Sequence, residues 1–271
     1  MVRLSRREDS TRTGRLSFVA FSCTHCPHQD PVAIDWAVEQ VKKRKPDVVV
    51  HLGDGIDADA ASRWNDESIH DLLDEYLALD VILARFRKAA PKDATCVYLQ
   101  GNHCANVMAR NRLDPRVREL VNPHRHIAEF KYWNTKAEYE YDRKRGCFRI
   151  GQVCFSHGYE TSASGIRREA IYFLRGHQFG LYVHGHTHRA TPGGPAIQLQ
   201  ATANTPLPYW RANAGTLRHL KPDYVRRQNT QLWTQALVVG SALPIKSPRS
   251  HRTWEAETII FRNYDEWRES Q

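Results

Sequence analysis

Leu181-Tyr182-Val183-His184-Gly185-His186-Thr187-His188 is a short apolar run that stops abruptly in three histidines separated by single residues. If the backbone stays extended, the side chains of His186 and His188 point the same way, and Gly185 lets the chain pass close to whatever they grip. A neutral imidazole nitrogen binds a divalent ion without adding charge, so the stretch reads as part of a metal site. An isolated His-x-His is more often a polar, solvated loop. This one is not isolated.

Four earlier stretches have the same shape, a strand-length apolar run followed at once by residues able to bind metal. Leu16 to Phe21 runs into Ser22-Cys23-Thr24-His25, and Val48 to Leu52 into Gly53-Asp54-Gly55. Cys96 to Leu99 runs into Gln100-Gly101-Asn102-His103, and Val153 to Phe155 into Ser156-His157-Gly158. In α/β sheets ligands sit beyond the carboxyl ends of the strands, where loops bring together side chains from distant parts of the chain. Five strand ends carrying Cys, His, Asp and Asn are hard to explain as packing.

The intervening pattern sets the fold class. Pro31 followed by Ile34, Val38 and Val41, with a basic end at Lys42 to Lys45, predicts an amphipathic helix. Glu67 to Ala90 predicts a second, with Ile69, Leu72, Leu73, Tyr76, Ile82, Leu83 and Phe86 along one stripe and charges elsewhere. This βαβαβ order implies an α/β fold with parallel strands. Residues from 104 to about 145 read as an insertion beside the site, Phe148 to Val153 as two strands around a tight turn, and Gly165 to Arg175 as a short helix. Pro192 to Pro195 reads as a turn, and Ile197 to Ala201, Ala236 to Val239 and Glu257 to Phe261 as strands of a second sheet. Residues 205 to 232, rich in Pro, Arg and aromatics, fit no pattern. Residues 1–15 are expected to be a flexible basic arm and 16–271 a single domain.

The 271 residues are 41% hydrophobic and 25% charged, as in ordinary globular proteins. Thirty-nine Lys and Arg against 30 Asp and Glu give a net charge of +9, which suits a polyanionic partner such as nucleic acid. No apolar run approaches the roughly 20 residues of a membrane helix, and the N-terminus has no signal-peptide pattern. The expected location is therefore cytoplasmic, away from membranes. Six scattered cysteines do not make a disulfide scaffold, and Cys96 and Cys154 read as buried apolar residues. Cys23-Thr24-His25-Cys26 also has the Cys-x-x-Cys spacing of a redox motif, which leaves the other four strand ends unexplained.

If the five strand ends converge, Asp54 can bridge two cations with its two oxygens while histidines and Asn102 complete separate shells. Two divalent ions roughly 3.5 to 4 Å apart clamp the attacking and leaving oxygens of a phosphoryl displacement. The order Cys23-Thr24-His25, Gly53-Asp54, Gly101-Asn102-His103, His157-Gly158 and Gly185-His186-Thr187-His188, spread over residues 16 to 190, resembles the signature of the calcineurin-like metallophosphoesterases. The resemblance implies a four-layer α/β/β/α sandwich of two mixed sheets with flanking helices. It implies one metal held by Cys23, His25, Asp54 and His188, and a second by Asp54, Asn102, His157 and His186. His103 would be catalytic, stabilising charge on the phosphorane or protonating the leaving oxygen.

Two departures from the family pattern follow. Cys23 stands where the family usually has Asp, so zinc or iron is favoured over manganese at the first site. Cys104 replaces an acidic residue expected to orient His103. The implied activity is a two-metal hydrolysis of phosphoesters, leaning to phosphodiesters of nucleotides or nucleic acid, with a phosphomonoesterase or protein phosphatase as the alternative. The reading from another class is a catalytically silent, metal-stabilised binding module. Asp57 reads as supporting a ligand, capping a helix or facing solvent, and His51 and His184 as hydrogen-bonded core residues. Arg63, Arg110, Tyr159 and Arg189 are candidates for phosphate contact.

Overall fold

In a computed structural model of the chain, residues 14–59, 71–110, 120–136, 140–221, 230–244 and 251–261 are described. The expected arm residues 1–13, the start of the second helix with Ile69, Arg63 and residues 111–119 and 137–139 of the expected insertion lie outside them. Arg15, placed in the arm, instead donates through Nε to Ser241 Oγ at 3.1 Å.

The first half follows the βαβαβ pattern. Strand β1 (Leu16–Phe21) leads to α1 (Pro31–Arg44), β2 (Val48–His51), α2 (Leu72–Ala89) and β3 (Thr95–Tyr98). Helix α1 starts where the Asp30 carboxylate accepts from Val32 N and Ala33 N with Pro31 in the first turn, and Lys42, Lys43 and Arg44 lie at its negative end. The Asp71 carboxylate caps α2 by accepting from Leu73 N. Both crossovers return the chain parallel, β1 beside β2 and β2 beside β3. Every residue of β2 is buried, which explains its unbroken Val-Val-Val run.

Beyond β3 come α3 (Asn102–Arg110), α4 (Pro123–His126), a 3₁₀ turn (Ala128–Lys131), the hairpin β4 (Cys147–Ile150) and β5 (Val153–Ser156), and α5 (Ala163–Leu174). Then follow β6 (Gly180–His184), β7 (Gly194–Pro195), β8 (Ile197–Thr202), β9 (Thr205–Asn213), β10 (Ala236–Ala242) and β11 (Trp254–Ile260). The six-stranded sheet has the order β3-β2-β1-β10-β11-β7 and the five-stranded sheet β4-β5-β6-β9-β8. Two sequence expectations are corrected here. The strands at 236 and 254 do not join the histidine strand's sheet; they extend the first sheet, antiparallel to β1. The unassigned 205–232 region contains β9, which lies parallel to β6 near the centre of the second sheet. Its prolines fall in the exposed half, paired only with the edge strand β8.

Three apolar layers separate four layers of structure. Val19, Phe21, Val49, Leu83 and Phe86 pack between α1, α2 and the first sheet. Phe18, Ala20, Val50, Phe155, Val183 and Val238 fill the space between the sheets. Cys154, Phe173, Leu174 and Tyr182 lie between the second sheet and α5. The architecture is thus an α/β/β/α sandwich of two mixed sheets. The segment expected as a cleft-side insertion partly joins the first layer: Ile127, Phe130 and Trp133 are buried there, and Asn134 bonds with Cys96 O and Tyr98 N on the free edge of β3.

Candidate metal centre

The carboxyl ends of β1, β2, β3, β5 and β6 converge at one end of the two sheets. Hydrogen bonding continues past the strands, with Cys23 N donating to Gly53 O (3.0 Å), His25 N to Asp54 O (3.0 Å) and Cys26 N to Gly55 O (2.8 Å). Among the described residues, seven non-glycine residues have positive φ, and five are candidate ligands: Cys23, His25, Asp54, His186 and His188. Left-handed backbone costs energy at such residues and persists where the surroundings demand it, which makes the clustering a sign of function. It also corrects one expectation. His186 and His188 lie past the end of β6 at φ of 65° and 58°, so they are not on an extended segment, and they face different partners.

His188 Nε2 lies 2.9 Å from His25 Nε2, and Cys23 offers its sulfur within 4.8 Å of both. On the other side, His157 Nε2 lies 3.0 Å from Asp54 Oδ2 and 3.1 Å from Asn102 Oδ1, and the His186 ring stands 5.2 Å from that of His157. Asp54 Oδ2 is also 4.0 Å from His25 Nε2, so it lies between the two groups. All seven candidate ligands are therefore brought together. Two motif glycines make room: a Cβ at Gly101 would collide with the Asp54 carboxylate, and one at Gly185 with Ser22 Oγ.

The donors suit divalent cations. Burial holds His25 and His186 down at about 4 and His188 well below its ordinary value, so these imidazoles are neutral with lone pairs to offer. Burial alone would push Asp54 up, but His157, His103 and His25 around it hold it well below the usual carboxylate range. His157 Nδ1 donates to Leu52 O at 3.0 Å, leaving Nε2 to face the oxygens of Asp54 and Asn102. Nε2 and the two oxygens converge on one point that a cation can occupy. His25 Nδ1 likewise donates to Asp57 Oδ1 at 2.5 Å, the carboxylate–histidine pairing typical of metal ligands. Cys23 is the uneasy member. Burial and the Asp54 charge push its thiol up, so a cation must drive off its proton.

His103 sits at the mouth, its side chain 32% exposed. Its Nδ1 lies 2.5 Å from Asp57 O, and because a carbonyl only accepts, Nδ1 carries a proton and Nε2 is left for other work. Burial opposes its charged form, but Asp54 and Asp57 outweigh burial and raise its pKa. The loss of an orienting acid at position 104 is thus met by Asp57, and Cys104 instead lies 3.2 Å from Tyr98 OH. Asp57 is neither solvated nor a helix cap: it is 4% exposed and also takes Arg218 Nη1 at 3.3 Å. His51 and His184 are buried, as expected.

Several residues around the site carry no sequence motif. Asn213, ending β9, donates to Gly185 O (3.0 Å) and Thr187 Oγ1 (2.9 Å) and so fixes the histidine loop. Thr216 Oγ1 holds Cys23 O at 2.7 Å. Trp233 meets His188 edge-on at 4.4 Å and lies 5.5 Å beneath the Arg218 guanidinium. Tyr141 stands edge-on to His157 at 5.8 Å. Arg189 is exposed beside His188.

Residues 16–190 match the family model described as calcineurin-like phosphoesterase. A search of curated proteins finds no match. Among solved structures, the Zn²⁺ complex of Vps29 from Entamoeba histolytica is 10% identical, with 91% of this chain and 100% of that one covered at a TM-score of 0.40. YfcE, a phosphoesterase from E. coli, is 14% identical, with 84% and 93% covered at 0.38. PhoD is 11% identical, with 85% and 64% covered at 0.45. The family match spans more than half of the chain and ends just past His188, and on that match the chain belongs to the calcineurin-like phosphoesterases, metal-dependent hydrolases of phosphoesters.

Proposed function

We propose that this phosphoesterase acts on phosphodiesters of nucleotides or nucleic acid. In this reading Cys23, His25, Asp54 and His188 hold one divalent ion, and Asp54, Asn102, His157 and His186 hold a second. Bound ions of this kind supply Lewis acidity toward phosphoryl oxygens and make water a competent nucleophile near neutral pH. The observation that carries the reading is His103, half-exposed beside seven candidate ligands with its Nδ1 proton already committed to Asp57 O. In the imidazolium form, which Asp54 and Asp57 favour, its Nε2 also carries a proton and can give it to the departing ester oxygen. Asp57 orients His103 through its carbonyl and His25 through its carboxylate, while Arg218 steadies that carboxylate. The lean to diesters draws on the +9 charge, on the exposed Arg189 next to His188 and on the exposed Arg143 over the Tyr159 ring. Zinc or iron is the metal expected at the Cys23 side, because a thiolate is softer than a carboxylate.

The test is hydrolysis of bis(p-nitrophenyl) phosphate by protein stripped of metal and refilled with manganese, zinc or iron, with His103→Ala alongside. Turnover should require metal, and kcat should fall in the variant by roughly 10²- to 10⁴-fold, the usual worth of a positioned acid. A variant as active as the parent would remove His103 from the chemistry. Faster turnover of p-nitrophenyl phosphate than of the diester would make the chain a monoesterase.

A further inference from the structure

Tyr141 and Tyr159 stack at 4.0 Å with their planes 18° apart. The first ring stands edge-on to the candidate ligand His157, and the Arg143 guanidinium lies 5.6 Å over the second. Both rings are half-buried, and both are tied to the metal centre's loops. Tyr141 N donates at 3.4 Å to Oε1 of Gln100, the residue before Gly101-Asn102-His103. Tyr159, two residues after His157, donates through N to the Glu169 carboxylate at 3.1 Å. Asp142 Oδ1 accepts from Lys144 N and Arg145 N, forming a turn from which Arg143, Lys144 and Arg145 are exposed to solvent. Aromatic rings beside basic side chains form the combination that holds nucleobases by stacking and their phosphates by charge.

We infer that Tyr141, Tyr159 and Arg143 form a platform for the nucleoside flanking the scissile phosphate, on the side of the centre where His157 and Asn102 stand. The inference rests on the diester reading above and names its substrate class as nucleoside esters. Packing alone would explain a tyrosine pair that locks two loops, so the test must separate stacking on substrate from loop support.

Two diesters that release the same p-nitrophenolate make that separation: thymidine 5′-(p-nitrophenyl phosphate) and methyl p-nitrophenyl phosphate. The parent should prefer the thymidine ester in kcat/KM within the roughly 5- to 150-fold range that one stacked base supplies. Tyr141→Leu should lose most of that preference through KM for the thymidine ester, read as the ratio of the two esters at equal bound metal, whereas Tyr141→Phe should keep it. In parallel, anisotropy of fluorescein-labelled trithymidylate is read on the metal-loaded His103→Ala protein with and without Tyr141→Leu. An equal preference and affinity in Tyr141→Leu at full metal content would overturn the platform. Loss of metal from Tyr141→Leu but not from Tyr141→Phe would likewise show a supporting role for the ring and overturn it. If the parent cleaves neither ester while trithymidylate binds through Tyr141, the platform stands and the hydrolytic reading falls.

Discussion

Asp57 shows how much of the site hangs on one side chain that no motif singled out. Its Oδ1 takes the Nδ1 proton of His25 at 2.5 Å and the Arg218 guanidinium at 3.3 Å, while its carbonyl takes His103 Nδ1. Desolvation would raise its pKa, yet His25 and Arg218 keep it ionised, far below the carboxylate range. Removing the charge while keeping the shape should loosen His25. For Asp57→Asn we expect metal affinity, read by competition with a chromogenic chelator, to weaken roughly 10- to 100-fold, as outer partners of metal ligands usually do. Unchanged affinity would show that His25 is held by its backbone alone. The convergence of the candidate ligands was legible because each sits just past the end of a strand, several beside a glycine. The role of Asp57 was legible only as one of three readings, since a carboxylate three residues past Asp54 looks the same in sequence whether it faces solvent, caps a helix or meets a histidine.

At the scale of elements, helix α2 contributes more than its apolar stripe. Glu75 falls within that stripe and is fully buried, accepting from Ala58 N at 2.6 Å and Asp59 N at 3.0 Å, so it anchors the loop that carries Asp57. Burial raises its pKa from 4.5 to about 8, against the pull of those two donors. The folded chain therefore keeps a proton there that the unfolded chain releases above about 4.5. Stability from this group is complete below that pH and is lost progressively as pH rises to about 8. Glu75→Gln keeps the neutral form throughout. Because the amide nitrogen cannot accept from the second N–H, the variant starts from a constant offset, and the prediction is in the slope: from pH 5 to pH 8 the parent's urea midpoint should fall relative to that of the variant, and parallel curves would refute the assignment. Periodicity found α1, α2, α5 and the buried strands because their faces are regular. It missed β9, where prolines in the exposed half hide a strand whose other half is core, and it gave β10 and β11 to the wrong sheet, since register is set by partners distant in sequence.

For the whole molecule, the candidate ligands come from both sheets. Cys23, His25, Asp54 and Asn102 follow strands of the first, and His157, His186 and His188 follow strands of the second. A cation bound among them would add a further tie between two layers already joined by the apolar contacts of Phe18, Val50, Phe155 and Val183 and by the His157 bond to Leu52 O. Without one, the Asp54 carboxylate stays buried among the nitrogens of His25, His157 and His188 with no cation to meet them. Binding to the folded chain alone adds about 2.7 kcal/mol per site at a free metal concentration 100-fold over Kd. In a chain of this size that corresponds to a rise in Tm of roughly 5–10 °C per site. Calorimetry of stripped and refilled protein should show this rise, growing with the logarithm of metal concentration. His103→Ala should keep the whole shift, because its ring is outside the proposed ligand set, and Asn102→Ala should lose part of it. Equal Tm values for stripped and refilled protein would mean that the two sheets meet without a metal between them.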